Sequence, residues 1–258
     1  MPARARWDSD QYARFSEERS RPFFDLLAQV PEREIGRAAD LGCGSGELTR
    51  ELLKRWPAAE VWGVDSSPEM LAKTGSAPPR PRLHFVQADL REWRPPAPLD
   101  LILSNAALQW VPDHGSLLEA LATRLAPAGI LAVQVPSNRD EAAYRILEEL
   151  LFEPPWTDKL PRDLPKPRIE PPAFYEERLA RRGFQVRSWE TIYRHRLAGT
   201  GEIVEWLKGT TLRPVLSALS ESDAADFLAA LTARVARAYE GGAGGVVFPF
   251  KRFFFVAS

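Results

Sequence analysis

Three glycines at alternate positions, Gly42, Gly44 and Gly46, stand between two acidic residues, Asp40 and Glu47. Glycine reaches backbone conformations closed to residues that carry a Cβ, so such a loop lets a ligand lie directly against the main chain. The residues before it, Ala38 to Leu41, read as a buried strand, and those after it as a helix. A strand, a glycine loop and a helix in that order make the nucleotide crevice of an open α/β sheet. A dinucleotide fingerprint, G-x-G-x-x-G, would need a glycine where Glu47 stands. The acidic loop repels phosphates and suits a cation. A further carboxylate, Asp65, ends the next strand at the place, roughly twenty residues on, where such sites hold both hydroxyls of a ribose. The chemistry pointed to is binding of a nucleotide-type ligand, with a plain tight turn as the alternative reading of the glycines.

The elements that must position these groups follow from periodicity and punctuation. Strands are expected at Arg37–Leu41, Glu60–Asp65, Leu83–Gln87, Leu99–Asn105 and Gly129–Pro136, with a turn at Pro127-Ala128-Gly129. Helices are expected between them: one over Gly46–Trp56, stopped by Pro57, and one begun by Ser67 as N-cap with Pro68 in its first position. Strand and helix alternate five times, which predicts an α/β fold with a doubly wound, mostly parallel, Rossmann-like sheet. A sixth strand near Phe184–His195 and an antiparallel return at Phe248–Ala257 bring it to seven strands. Ahead of the sheet, Ser9–Val30 reads as helical through Tyr12, Phe15, Phe23, Phe24, Leu26 and Leu27, with Pro22 expected to break or restart it. Two insertions hold helices around Ala142–Phe152, Glu202–Lys208 and Asp223–Tyr239, and Glu153–Pro172 reads as an irregular, proline-rich lid. Residues 1–258 are thus expected to form one domain, with residues 9–30, 137–172 and 199–245 as a helical cap over the glycine loop.

Composition bounds the partners. The 258 residues, 45% hydrophobic and 27% charged, suffice for one such domain with insertions. A net charge of -1 points away from nucleic acid and from an anionic membrane surface. Cys43 is the one cysteine, which rules out an internal disulfide and a cysteine-built zinc site and suits a reducing compartment, so a cytoplasmic location is expected. No stretch has the length of a membrane span or the pattern of a leader peptide. A monomer is the default expectation, and no metal is implied.

Four stretches in order, Asp40-Leu41-Gly42-Cys43-Gly44-Ser45-Gly46, Asp65-Ser66-Ser67-Pro68-Glu69-Met70, Ala88-Asp89 and Asn105-Ala106-Ala107-Leu108-Gln109-Trp110, resemble the sequential motifs of the class I S-adenosylmethionine (SAM) methyltransferases. The resemblance implies SAM as cofactor, held by Asp40, Gly42, Cys43, Gly44, Gly46, Asp65, Ser66, Met70, Asp89, Leu90 and Asn105. In that reading Met70 lies beside the adenine, or simply in the core; Asp89 accepts from the adenine amino group and the Leu90 amide serves a ring nitrogen. The transferable methyl would sit at the carboxyl end of the fourth strand, beside Asn105.

Five further stretches are similar to one branch, the trans-aconitate 2-methyltransferases: Phe15–Pro22, Leu108–His114, Leu131–Pro136, Thr211–Pro214 and Phe248–Ala257. The branch implies a small polycarboxylate substrate, esterified on one carboxylate. A carboxylate is ionised at neutral pH and nucleophilic enough for a sulfonium methyl, so no catalytic acid or base is expected. Neutralising the remaining carboxylates is work for arginines, and Arg19, Arg21, Arg213 and Arg252 lie in the family-like stretches, with Gln109, Trp110, Tyr144, Tyr193 and Trp206 as further candidates to line the substrate site. For each arginine the alternative is an ordinary surface ion pair, and for each aromatic the core. Three other functions stay open: methylation of another small acid, hydroxyl or amine, a nucleotide-binding oxidoreductase, and a catalytically silent SAM binder.

Overall fold

The computed structural model describes residues 16–76, 80–239 and 244–258. Its seven strands are β1 (Arg37–Leu41), β2 (Glu60–Asp65), β3 (Leu83–Gln87), β4 (Leu99–Asn105), β5 (Leu125–Pro136), β6 (Val186–Leu197) and β7 (Val246–Ala257), ordered β3-β2-β1-β4-β5-β7-β6. The first five pair in parallel, and β7 runs antiparallel to β5. Central strands read as unbroken apolar runs because helices cover both faces of a parallel sheet. Ala38, Ala39 and Leu41 of β1 and Leu101, Ile102 and Leu103 of β4 are accordingly fully buried.

The strand order reverses between β1 and β4, and the chain leaves β1 there through the glycine loop into α2 (Thr49–Arg55). The Ser67 hydroxyl caps the short α3 (Pro68–Leu71), accepting the Met70 amide at 3.2 Å with Pro68 in the first turn, as its sequence dictates. Several boundaries differ from expectation: the helix expected from Gly46 begins at Thr49, β6 begins at Val186 and β7 at Val246, and the Glu153–Pro172 stretch read as irregular holds a helical turn at Trp156–Lys159. Residues Pro127-Ala128-Gly129 lie within β5 as an irregularity, with Ala128 left-handed and the β4 register shifting between Leu99 and Leu101. Pro22, with a buried ring, sits inside α1 (Ser16–Ala28), where it removes one amide donor without ending the helix. Tyr12 and Phe15, and the part of the 9–30 helix before Ser16, lie outside the described residues.

The chain gathers into two compact units. One comprises residues 20–136, 168–191 and 252–258 and contains β1–β5, with Phe23 and Leu26 of α1 fully buried in it. Residues 20–30 therefore belong with the sheet. The α4 (His114–Arg124) and α7 (Pro172–Arg181) helices also pack here. The second unit, among described residues, holds 16–19, 137–167 and 192–251. It includes α5 (Ala142–Leu151), α6 (Trp156–Lys159), α8 (Thr200–Lys208), α9 (Arg213–Ala218) and α10 (Glu221–Ala238). Its core is aromatic: Trp206 is 1% exposed and packs against His195, Phe248 and Phe250, while Trp156 meets Phe227 edge to face. Arg234 to Glu153 and Lys159 to Asp223 form ion pairs within it, at 2.6 and 2.5 Å.

Candidate active site

The glycine loop is built as its spacing requires, with Gly42, Gly44 and Gly46 all in the left-handed region at φ of 79°, 57° and 72°. Gly42 and Gly46 also lack room for a side chain. A Cβ on Gly42 would stand 2.1 Å from the Ala107 Cβ, and one on Gly46 would stand 2.3 Å from the Phe85 ring. The Phe85 ring also closes over Gly63 of β2. The glycines therefore serve close packing of β3 and the β4 exit against the loop, as well as a backbone open to ligand.

Asp65 joins the loop to the next turn. Its Oδ2 accepts the Gly44 amide and its Oδ1 the Ser67 amide, both at 2.9 Å, which aims the carboxylate and leaves lone pairs for two hydroxyls. Ser66 lies between Asp65 and that cap, and Met70 brings its methyl to the position a Gly44 Cβ would crowd at 3.0 Å. Asp40 is 3% exposed and accepts the Thr49 hydroxyl at 2.6 Å. Burial pushes its pKa up to about 6, with the Thr49 bond opposing the rise and the Asp65 charge adding to it. Burial and the same two carboxylates push the Cys43 thiol up, so it stays protonated and unreactive.

Past β3, Asp89 accepts the Arg91 amide at 2.8 Å and the Arg91 Nε at 3.0 Å, and that guanidinium holds its carboxyl below the usual carboxylate range. The turn is gripped from behind by Arg124 of α4, which is 4% exposed and donates to the Leu90 and Arg91 carbonyls at 2.6 Å each. Burial lowers the Arg124 pKa to about 10. Nothing in the sequence marks Arg124, since a helical arginine without a motif reads as a solvated face.

At the carboxyl end of β4, Ala106 is left-handed and donates its amide to the Gln134 carbonyl of β5 at 2.9 Å. Gln109 donates its Nε2 to the Ala106 carbonyl at 2.7 Å. Two acceptors, the Asn105 Oδ1 and the Gln109 Oε1, are buried without a hydrogen-bond partner among the described residues. Trp110 is 42% exposed beside them in sequence. Arg252, near the middle of β7 and only 5% exposed, donates to the Gln134 Oε1 at 3.1 Å. The sheet unit thus holds Asp40, Gly42 to Gly46, Asp65, Ser66, Met70, Asp89, Leu90, Asn105, Gln109, Trp110 and Arg252.

The remaining candidates are placed otherwise. Arg21 is exposed on α1 in an ion pair with Asp25 at 3.8 Å, the surface alternative weighed for it, and the Arg19 side chain lies outside what the structure describes. Tyr144, Trp206 and Arg213 belong to the second unit, where Tyr144 meets the Phe250 ring at 6.3 Å and Arg213 is exposed at the start of α9. Trp206 and Tyr193 are core residues with almost no free surface.

Two carboxylates at the glycine loop, and two buried acceptors past β4 that have no partner among the described residues, suit a ligand that brings hydroxyls and positive charge. Residues 12–188 match the model of a methyltransferase domain family. The chain is 46% identical to the trans-aconitate 2-methyltransferase of Streptomyces avermitilis, covering 100% of this chain and 98% of that protein, and 44% identical to that of an Azoarcus species over 97% and 98%. This chain belongs to the trans-aconitate 2-methyltransferase family. The solved structures add the fold: a SAM-dependent methyltransferase from Mesorhizobium loti is 20% identical with a TM-score of 0.53, covering 92% of this chain and 97% of that one. A Haemonchus contortus phosphoethanolamine N-methyltransferase bound to S-adenosylhomocysteine is similar at 17% identity and TM-score 0.55, over 92% of this chain and about half, 52%, of that longer one. SAM is the cofactor of the family's methyltransferase domain, and the acceptor-rich loop fits it.

Proposed function

We propose that this protein transfers the methyl group of SAM to a carboxylate oxygen of trans-aconitate, yielding a monomethyl ester and S-adenosylhomocysteine. The observation that carries this reading is the 46% identity to a trans-aconitate 2-methyltransferase over 100% of this chain and 98% of that protein. When bound, SAM supplies a methyl on a positively charged sulfur, and that sulfur leaves as a neutral thioether as the carboxylate oxygen takes the methyl. No proton moves, so the residues have only to bind and align. Asp65 takes the ribose hydroxyls, Asp89 and the Leu90 amide take the adenine, and Asn105 and the glycine loop take the methionine part. Alignment of this kind is worth on the order of 7–11 kcal/mol. Arg252 neutralises a carboxylate that does not react, with Trp110 and Gln109 beside the acceptor, and Arg213, exposed at the start of α9, is the second unit's own candidate for pairing with a carboxylate.

This reading takes a small polycarboxylate as partner, without nucleic acid or membrane, and a cytoplasmic monomer as the working form; the near-neutral charge and single cysteine support it. A panel of acids tests it. With three, two and one carboxylates on similar carbon frames, kcat/KM should fall about tenfold or more per carboxylate removed, since each charge-assisted bond contributes roughly 1.5–3 kcal/mol. A monocarboxylate used as well as trans-aconitate would refute the arginine clamp.

A further inference from the structure

In an enzyme without an acid or base, whatever fixes the acceptor side of the site carries the rate. The Leu108-Gln109-Trp110 turn on that side is a single turn of 3-10 helix and cannot hold itself. What holds it is a chain of buried hydrogen bonds. The Glu170 amide donates to the Tyr175 hydroxyl oxygen at 3.0 Å. The same hydroxyl lies 2.6 Å from His114 Nδ1, and His114 Nε2 lies 2.8 Å from the Leu108 carbonyl. A carbonyl can only accept, so Nε2 carries the proton. In the neutral ring Nδ1 then accepts, and the tyrosine donates. The chain therefore specifies one tautomer and has every member satisfied.

Its far end is rigid. Tyr175 is fully buried, and its ring packs on Phe253 and Phe255 of β7 at 5.5 and 5.3 Å. His114, at 4% exposure, is the first residue of α4, whose N-cap Asp113 is itself left-handed and bonded to Ser116. A second tie runs alongside: the Arg168 amide donates to the Gln109 carbonyl at 2.7 Å. Arg168 is where the chain re-enters the sheet unit after residues 137–167.

We infer that His114 and Tyr175 are positioning residues for methyl transfer: the tyrosine fixes the histidine as its Nε2–H tautomer, and the histidine fixes the turn that presents Gln109 and Trp110 to the acceptor. Neither touches substrate or cofactor. The inference rests on the proposed acceptor site at this turn.

The test has two arms. In the first, long-range proton–nitrogen spectra of 15N-histidine protein, assigned with His114→Asn, report the tautomer directly and need no turnover; Nε2–H is expected, and an Nδ1–H ring overturns the inference. In the second, Tyr175→Phe keeps the ring packing but removes both hydroxyl bonds, and should change KM or kcat for trans-aconitate about tenfold while leaving KM for SAM within about twofold. His114→Gln retains a donor at the Nε2 position and should stay nearer wild type than His114→Asn, which keeps only the Nδ1 side. Wild-type values in Tyr175→Phe and His114→Asn, or an equal loss against SAM, overturn the positioning role. A wild-type protein that esterifies no acid would instead defeat the proposed function, with the tautomer spectrum still deciding this one.

Discussion

Replacing Gly46 with alanine separates what the loop owes to backbone conformation from what it owes to packing. At φ of 72° an alanine is in the left-handed region, which costs about 1–2 kcal/mol. Its Cβ would stand 2.3 and 2.4 Å from two Phe85 ring carbons, and forcing an extra methyl into a filled site costs typically about 1–3 kcal/mol more. The ring cannot retreat freely, because Gly63 lies under it and the Arg50 guanidinium sits 5.4 Å from its centroid while donating to the Gly46 and Thr74 carbonyls. Gly46→Ala should therefore lose roughly 2–5 kcal/mol of stability and weaken SAM binding at least about tenfold. Shrinking the ring with Phe85→Leu should return the packing share but leave the backbone share. The assay is a double-mutant cycle read by urea denaturation and by calorimetric titration with SAM, with an expected coupling of about 1–3 kcal/mol. Additive single effects, or a Gly46→Ala protein as stable as wild type, would refute the reasoning.

Other consequences follow from particular groups. Asp40 binds its proton more tightly folded, with a pKa of about 6, than unfolded at 3.8, so between those values the folded state holds more protons and stability falls as pH rises. The fall totals about 3 kcal/mol and levels off above pH 7; Asp40→Asn should flatten it, so urea midpoints of variant and wild type that stay parallel from pH 4.5 to 7.5 would contradict the assignment. Arg124→Met removes both donors from the Leu90 and Arg91 carbonyls, and KM for SAM should rise about five- to tenfold with KM for trans-aconitate unchanged; steady-state kinetics in both substrates decide it. Arg213→Ala should raise KM for trans-aconitate about tenfold or more without altering the SAM dissociation constant. An unchanged KM would remove Arg213 from the substrate-binding candidates.

Much of the sheet was legible because a parallel strand buried on both faces writes itself as a short apolar run closed by a polar residue. The β2, β3 and β4 strands end on Asp65, Gln87 and Asn105 as expected, and the Ser67-Pro68 cap starts α3 where the residue types require. The start of β5 was not legible, since Pro127 and a left-handed Ala128 are turn signals locally and only pairing with β4 keeps the chain in the sheet. The α7 helix carries readable marks in its sequence. Pro172 opens it, Tyr175 and Leu179 repeat at four residues, and left-handed Gly183 closes it with the Phe184 amide bonded to the Leu179 carbonyl.

The site divides the same way. The glycine spacing and Asp65 were legible because the loop is built from backbone conformation and one carboxylate, with Gly42, Gly44 and Gly46 left-handed and Asp65 accepting the Gly44 amide. Sequence spacing was silent on Phe85 beneath the loop, Arg124 behind the Asp89 turn and Tyr175 behind His114, whose roles arise from contacts across 39 to 61 positions of chain, or 34 for Arg124 to Leu90. Trp206 shows the converse: its type suggested a pocket wall, and the aromatic core of the second unit claimed it.

The measurement that bears most directly on the account is incubation of the purified protein with SAM and trans-aconitate, followed by mass spectrometry of the small molecules. The account predicts an acid heavier by one methyl group, formed saturably and in step with S-adenosylhomocysteine. Protein that binds SAM yet yields neither product would contradict it.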